Sequence, residues 1–338
     1  MKKNNFIQAL NTGIMCFASI VGAGFASGKE LEVYFAHFGI WAFPTIIFTA
    51  ILFYKFTHKF LKIGHEKQIT SLSELNKIVW GKYTKLGNIL FVVSNILLLS
   101  AMFAGADSIG IFLFPNLNYR FFSIISAIIA IIISSLNFKK MLKINSIIVP
   151  LLLVLVVLSL IFSLNFVEKI NLTPTLPPIF SPFFAIIYLA SNLYLVSFVF
   201  CKLGNTTTKS IHKSASLIFA ILLSFFALQI VLILLINKTS SPMPLVNLLC
   251  SISPVIKYFA CFVVWGGLLS TVVNILFSLS NWLNNYFKSP ILSSSIICLF
   301  GLVLSGFGFS FIVNYFYPLI GIVGVIFIYL FIRKNKAN

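Results

Sequence analysis

Three stretches of this 338-residue chain hold residues whose types and spacing suit the binding of ions or small polar groups. The first is Val21-Gly22-Ala23-Gly24-Phe25-Ala26-Ser27-Gly28-Lys29-Glu30, with Ser19 before it and Glu32 after it. Each of its three glycines weakens a helix by about 1 kcal/mol relative to alanine, so this run is suited to unwound backbone that offers its own N–H and C=O groups. Gly24 and Gly28 also form a small-xxx-small pair, whose other use is close helix packing. The second stretch, Gly266-Gly267-Leu268-Leu269-Ser270-Thr271-Val272-Val273-Asn274, presents adjacent hydroxyls. These either bond back to their own helix or supply oxygen to a small hard cation such as Na⁺. The third is Asp107, in Ala104-Gly105-Ala106-Asp107-Ser108. It reads as a protonatable coupling group, a counter-charge for Lys29, or a residue near the outer membrane boundary, with Pro115 soon after.

Composition says what must hold these groups. At 59% hydrophobic and 9% charged, with a mean hydropathy of +1.06, the chain lies far from soluble domains, which are roughly 45–50% apolar and 25% charged. This is a polytopic, all-α integral membrane protein. The net charge of +18 does not imply nucleic acid, because no soluble domain offers a basic face. The five cysteines are scattered and form neither a disulfide framework nor a metal pattern. No Ser-His-Asp order, HExxH, CxxC or phosphate loop is present, and His37, His58, His65 and His212 fall at span ends or in loops, so an enzyme is not expected.

A spanning helix needs about 20 mainly apolar residues. Ten windows qualify: 7–35, 39–57, 86–113, 119–137, 144–165, 180–200, 214–236, 255–281, 291–310 and 312–332. With both ends on one side, that side collects 19 of the 24 basic residues, which predicts cytoplasmic termini. Lys29 and Glu30, more than 20 residues into the first span, are then expected at its outer end as gate residues.

The ten spans divide into halves of about 7–165 and 180–332, each with a long third span preceded by its longest loop, 58–85 and then 237–254. Five spans per half force opposite orientations, the hydropathy signature of a 5+5 inverted repeat. Each half then has a candidate broken helix in its first span. One is the glycine run; the other is Ile186-Ile187-Tyr188-Leu189-Ala190-Ser191-Asn192-Leu193-Tyr194, after Pro178 and Pro182. Unwound backbone at membrane depth is tolerated where protein buries it or it lines a cavity.

The run Gly22 to Glu30, with Ala104-Gly105-Ala106, Ser191-Asn192-Leu193 and Ser270-Thr271, resembles the YkvI-like bacterial membrane proteins, a branch of the amino acid–polyamine–organocation (APC) transporter superfamily. The resemblance covers nearly the whole chain. It implies a single transporter domain over 1–338 with the LeuT-like fold, ten helices with helices 1 and 6 broken. It also implies that Gly22, Ala23, Gly24, Phe25, Ala26 and Ser27 bind a substrate carboxylate through their backbone, with Ser191 and Asn192 closing the site. A Na⁺ site would comprise the carbonyls of Ala18, Val21 and Gly267 with the side chains of Ser270 and Thr271. Some proton-coupled relatives place a fifth-span lysine there; no lysine lies between Ile144 and Leu164, which favours Na⁺. Asp107 departs from the pattern, which has a small or apolar residue there.

The expected function is cation-coupled secondary transport, with sodium favoured, of a small solute, an amino acid, by alternating access in a bacterial plasma membrane. No cofactor beyond the coupling ion is expected. The alternative is a non-transporting ligand-sensing receptor subunit resembling those of spore germination.

Overall fold

A bilayer core offers no water to unpaired backbone groups, so a chain this apolar must satisfy them within helices. The computed structural model describes residues 3–21, 25, 27–116, 120–134, 138–165, 170, 172–237, 241–250, 252–287 and 289–336. Among these residues every regular element is helical: α1 Lys3–Ile20, α2 Lys29–Tyr34, α3 Ala42–Glu66, α4 Leu72–Trp80, α5 Thr84–Leu113, α6 Phe121–Ser134, α7 Phe138–Asn165, α8 Ser181–Thr206, α9 His212–Ile236, α10 Pro244–Cys250, α11 Pro254–Phe287, α12 Pro290–Leu304 and α13 Tyr317–Lys336. Seven helical segments among them are long and apolar enough to cross a membrane: 36–66, 72–113, 178–206, 209–236, 254–280, 290–307 and 309–334. Phe121–Ile133 and Pro150–Leu164 are shorter apolar helices.

Two expected loops are largely helical. In 58–85, α3 runs on to Glu66, and α4 follows behind a capping box in which Ser71 Oγ accepts from the Glu74 amide while the Glu74 carboxylate accepts from the Ser71 amide. The later loop contains α10, whose Leu245, Val246 and Leu249 are buried.

The helices form two groups. One is α1, α3, α8 and α9, in which α8 packs on α3 and α9 on both α1 and α3; the other is α5, α6, α11 and α12, all in mutual contact. α7 bridges to α9 and α11, and α13 packs along α8. Lipid offers no hydrophobic drive for such contacts, so close approach through small residues supplies it. At the α3–α8 seam Gly64 lies against the carbonyl of Cys201 and Gly204 against that of Leu61, so that a Cβ on either would overlap backbone. The outward faces carry exposed Ile47 and Ile51, Ile128 and Ile132, Leu299 and Val303, an apolar girdle for lipid.

Helix α8 corrects an expectation. It is continuous from Ser181 to Thr206, not broken near Ser191 and Asn192. Pro182 sits in its first turn, where a missing N–H costs nothing, and the polar side chains at 191 and 192 are satisfied by their own helix. Ser191 Oγ donates to the Tyr188 carbonyl at 2.9 Å and Asn192 Nδ2 to the same oxygen at 3.0 Å. The first span does break: α1 stops at Ile20, Val21 is non-helical, Phe25 and Ser27 are helical again, and α2 starts after Gly28, whose φ of 82° is a conformation glycine adopts freely.

Candidate functional site

Where α1 ends and α2 begins, a small cavity lies between the two helix groups. Its wall takes Ser19 and Ile20 from α1, Glu30 from α2, Leu98 and Met102 from α5, Ser191, Asn192, Leu195 and Val196 from α8, Thr271 from α11 and Tyr317 from α13. The wall mixes polar and aliphatic side chains, which suits a small amphipathic guest. The free volume is about 30 Å³, room for one or two water-sized bodies in this closed arrangement.

Glu30 is the main revision to the sequence reading. It lies in the cavity wall, 7% exposed, and not at an outer mouth. A continuous helix from Ile7 would raise it by about 35 Å at 1.5 Å per residue, but the first span is interrupted at Val21 and again at Gly28 before it. Its neighbours in sequence pair with each other: Lys29 Nζ meets Glu32 Oε2 at 2.9 Å. Among the described residues Glu30 makes no ion pair.

The carboxylate's nearest polar company is tyrosine. Tyr317 approaches it side chain to side chain, and Tyr34 and Tyr188 stand within its electrostatic reach. All three are at least 95% buried, and none of their hydroxyls has a hydrogen-bond partner of normal distance and angle. Leaving a buried hydroxyl unsatisfied costs about 1–3 kcal/mol, so three near one carboxylate are an expensive arrangement for packing alone. The rings of Tyr34 and Tyr188 are 5.6 Å apart, and Phe35 stands edge-on to Tyr188 at 5.2 Å. Tyr317 follows a π turn over Ile312–Phe316, an irregularity that recurs at functional sites because it shifts helical register. Nothing in the sequence marks these tyrosines, which read as apolar members of spans; Asn314 and Pro318 flag only an interruption nearby.

The other expected residues divide between cavity and core. Thr271 is in the wall, and its Oγ1 donates to the Gly267 carbonyl at 3.1 Å, which leaves the oxygen's acceptor capacity for a cation. Ser270 is buried one residue away, and Gly267 packs against Leu152. Ala18 and Val21 are buried at the end of α1, where the Val21 amide still donates to the Phe17 carbonyl at 2.9 Å. Phe25 is core, edge-on to Phe17, and Ser27 is buried with its Oγ accepting from the Lys29 amide at 3.3 Å. Gly22, Ala23, Gly24 and Ala26 lie outside the described residues.

Asp107 is not at the cavity, and Lys29 is not its partner. Its Oδ1 accepts from the Ser123 amide at 2.9 Å, in the first turn of α6, and Arg120 is nearby. A carboxylate there satisfies an unpaired helix N–H and meets the positive end of the helix dipole. Asp107→Ala is therefore expected to lower stability by about 1–2 kcal/mol, read as thermal unfolding in detergent, while leaving ligand binding intact. Unchanged stability with binding lost would show that the carboxylate serves the ligand and not α6.

No family model matches the chain. It is 26% identical over 338 residues to the uncharacterized membrane protein YkvI of Bacillus subtilis (strain 168), covering 95% of this chain and 94% of that one. Among solved structures, MhsT in complex with L-phenylalanine superimposes with a TM-score of 0.70 at 20% identity, over 94% of this chain and 87% of that one. A Na⁺-coupled sialic acid symporter in a substrate-bound outward-open state gives 0.68 at 15%, over 96% and 78%. The nucleobase-cation-symport-1 family transporter Mhp1, closed on bromovinylhydantoin, gives 0.66 at 13%, over 92% and 74%. The chain is thus a membrane protein related to YkvI with the fold of these LeuT-like proteins, which are transporters and not enzymes.

Proposed function

We propose that the chain is a cation-coupled secondary transporter of a small amphipathic solute, an amino acid, with Na⁺ as the coupling ion. The observation that carries this reading is the enclosed cavity, lined by polar and aliphatic side chains, between the two helix groups and beside the interruption of the first span.

Ten spans in a 5+5 inverted repeat are supported by pairings that recur between the halves. α1 on α9 corresponds to α8 on α3, α5 on α12 to α11 on α6, and α7 on α1 to α13 on α8. α4 and α10 take equivalent places before the long helices α5 and α11. Alternating access then consists of the group α1, α3, α8 and α9 rocking against the other about the cavity. Leu245 of α10 packs near Gly28, closing the approach from the side opposite the basic loops. Those loops meet at one end, where Lys209 Nζ contacts Glu66 Oε1 at 2.7 Å and Asn205 Nδ2 donates to the Ile69 carbonyl at 3.2 Å. That end is cytoplasmic on this reading, with both termini, in a bacterial plasma membrane.

The backbone of residues 22–27 would hold the solute's carboxylate, with Ser191 and Asn192 opposite. Na⁺ would sit between the end of α1 and α11, on the carbonyls of Ala18, Val21 and Gly267 and the hydroxyls of Ser270 and Thr271. To shift the population appreciably, Na⁺ has to favour the outward state by only a few kcal/mol. The test is turnover in proteoliposomes: labelled amino acid is expected to cross and exchange, whereas ligand-induced stabilisation without exchange would make the chain a sensor.

A further inference from the structure

The proposed transport reaction gives Glu30 no role, yet the structure invests heavily in it. It is a buried carboxylate in the cavity wall, without an ion pair among the described residues, because the neighbouring Lys29 is held by Glu32. Tyr317 of α13 lines the same cavity and approaches the carboxylate, and Tyr34 of α2 and Tyr188 of α8 are buried nearby; none of the three hydroxyls has a hydrogen-bond partner of normal distance and angle. Ser191 and Asn192, the nearby side chains on α8, direct their donors to their own backbone.

These features define the missing partner. It must be positive, since a bare carboxylate in a site of low dielectric repels anions and attracts cations strongly. It gains by donating hydrogen bonds, since a carboxylate only accepts and a phenol oxygen can accept as well as donate. It gains further from aromatic faces. A proton would satisfy Glu30 alone and leave the tyrosines unused, and a hard cation has its expected oxygens at the end of α1 and on α11. An alkylammonium, with three N–H donors and a compact charge, fits the set.

We propose that Glu30 is the anionic anchor for a protonated amine on the solute, with Tyr317, Tyr34 and Tyr188 as its cage, so that the site selects amine-bearing solutes and rejects the corresponding acids. This rests on the cavity being the solute site and specifies the charge that the solute must carry.

The test uses the full-length protein in detergent and matched ligand triplets: glycine, methylamine and acetate; L-leucine, 3-methylbutan-1-amine and 4-methylpentanoate; L-phenylalanine, 2-phenylethylamine and 3-phenylpropanoate. Thermal stabilisation is expected from amino acids and amines of at least one triplet, and from none of the acids. Glu30→Gln should weaken the effective amines at least tenfold while leaving the unliganded melting temperature close to that of the unaltered protein. Tyr317→Phe should weaken them less. Stabilisation by the acids, stabilisation by no triplet, or unchanged amine affinity in Glu30→Gln overturns the proposal. If Glu30→Gln does not fold, the triplets on unaltered protein decide, together with Glu30→Asp, which keeps the charge but withdraws it and should weaken amines selectively. Amine-selective binding without turnover would remove transport and keep this anchor; turnover insensitive to Glu30→Gln would do the reverse.

Discussion

Ser270→Ala combined with Thr271→Ala is expected to abolish the Na⁺ dependence of solute binding and uptake in a protein that still folds. Ser270 is buried in α11, and Thr271, part-buried, lines the cavity. Removing them deletes two of the five proposed oxygen ligands. A hydrogen bond to a charged group is worth about 1.5–3 kcal/mol, so losing two comparable oxygen contacts should cost at least about 3 kcal/mol, more than 100-fold in Na⁺ affinity. Folding should suffer little, because Thr271 satisfies only a Gly267 carbonyl already within its helix. The measurement is solute binding titrated against Na⁺ with choline as replacement. An unaltered Na⁺ midpoint would remove both residues from the ion site.

Gly204→Val should have the larger effect on the protein itself. A Cβ at 204 would overlap the Leu61 carbonyl, and one at Gly64 would overlap that of Cys201. Backbone cannot step aside as a side-chain tip does, so α3 and α8 must separate along their seam. Overpacking a core with ordinary side-chain relief costs about 1–3 kcal/mol, and this seam lies at or above the top of that range. The expected outcome is aggregated protein on size exclusion, or a melting temperature lowered by many degrees. Gly266→Ala is the matched control, since its Cβ would find its nearest atom on Ile148 at 3.8 Å, an ordinary contact. Equal stability of the two variants would refute the tight α3–α8 seam.

Much of this architecture was legible because lipid imposes a coarse code. Apolar length marks spans, lysines mark loops, and the seven helical segments long and apolar enough to cross a membrane among the described residues fall on seven of the ten expected windows. An interruption of the first span was legible for the same reason, since glycines are costly in a helix; Val21 and Gly28 are non-helical, while Phe25 and Ser27 between them are helical. What escaped notice depended on contacts between distant residues. Ser191 and Asn192 suggested a break, but a hydroxyl and an amide can be absorbed by their own helix, as both are at Tyr188. Glu30 was assigned to the outer end by counting residues along an unbroken helix. Asp107 reads equally as a coupling group, a counter-charge for Lys29 or a residue near the outer boundary, because its partner, the Ser123 amide, belongs to the next helix. The tyrosines near Glu30 come from α2, α8 and α13, which no local pattern connects.

The central claim is that solute crosses the membrane through the cavity between the two helix groups, driven by Na⁺. Its most direct measurement is uptake of labelled amino acids, offered singly, into proteoliposomes of the purified full-length protein under an inward Na⁺ gradient. The expected result is accumulation above the equilibrium level for at least one amino acid, lost when Na⁺ is equal on both sides or replaced by choline. Binding of that amino acid with no Na⁺-dependent accumulation, at a protein density where a control symporter accumulates its solute, would contradict it.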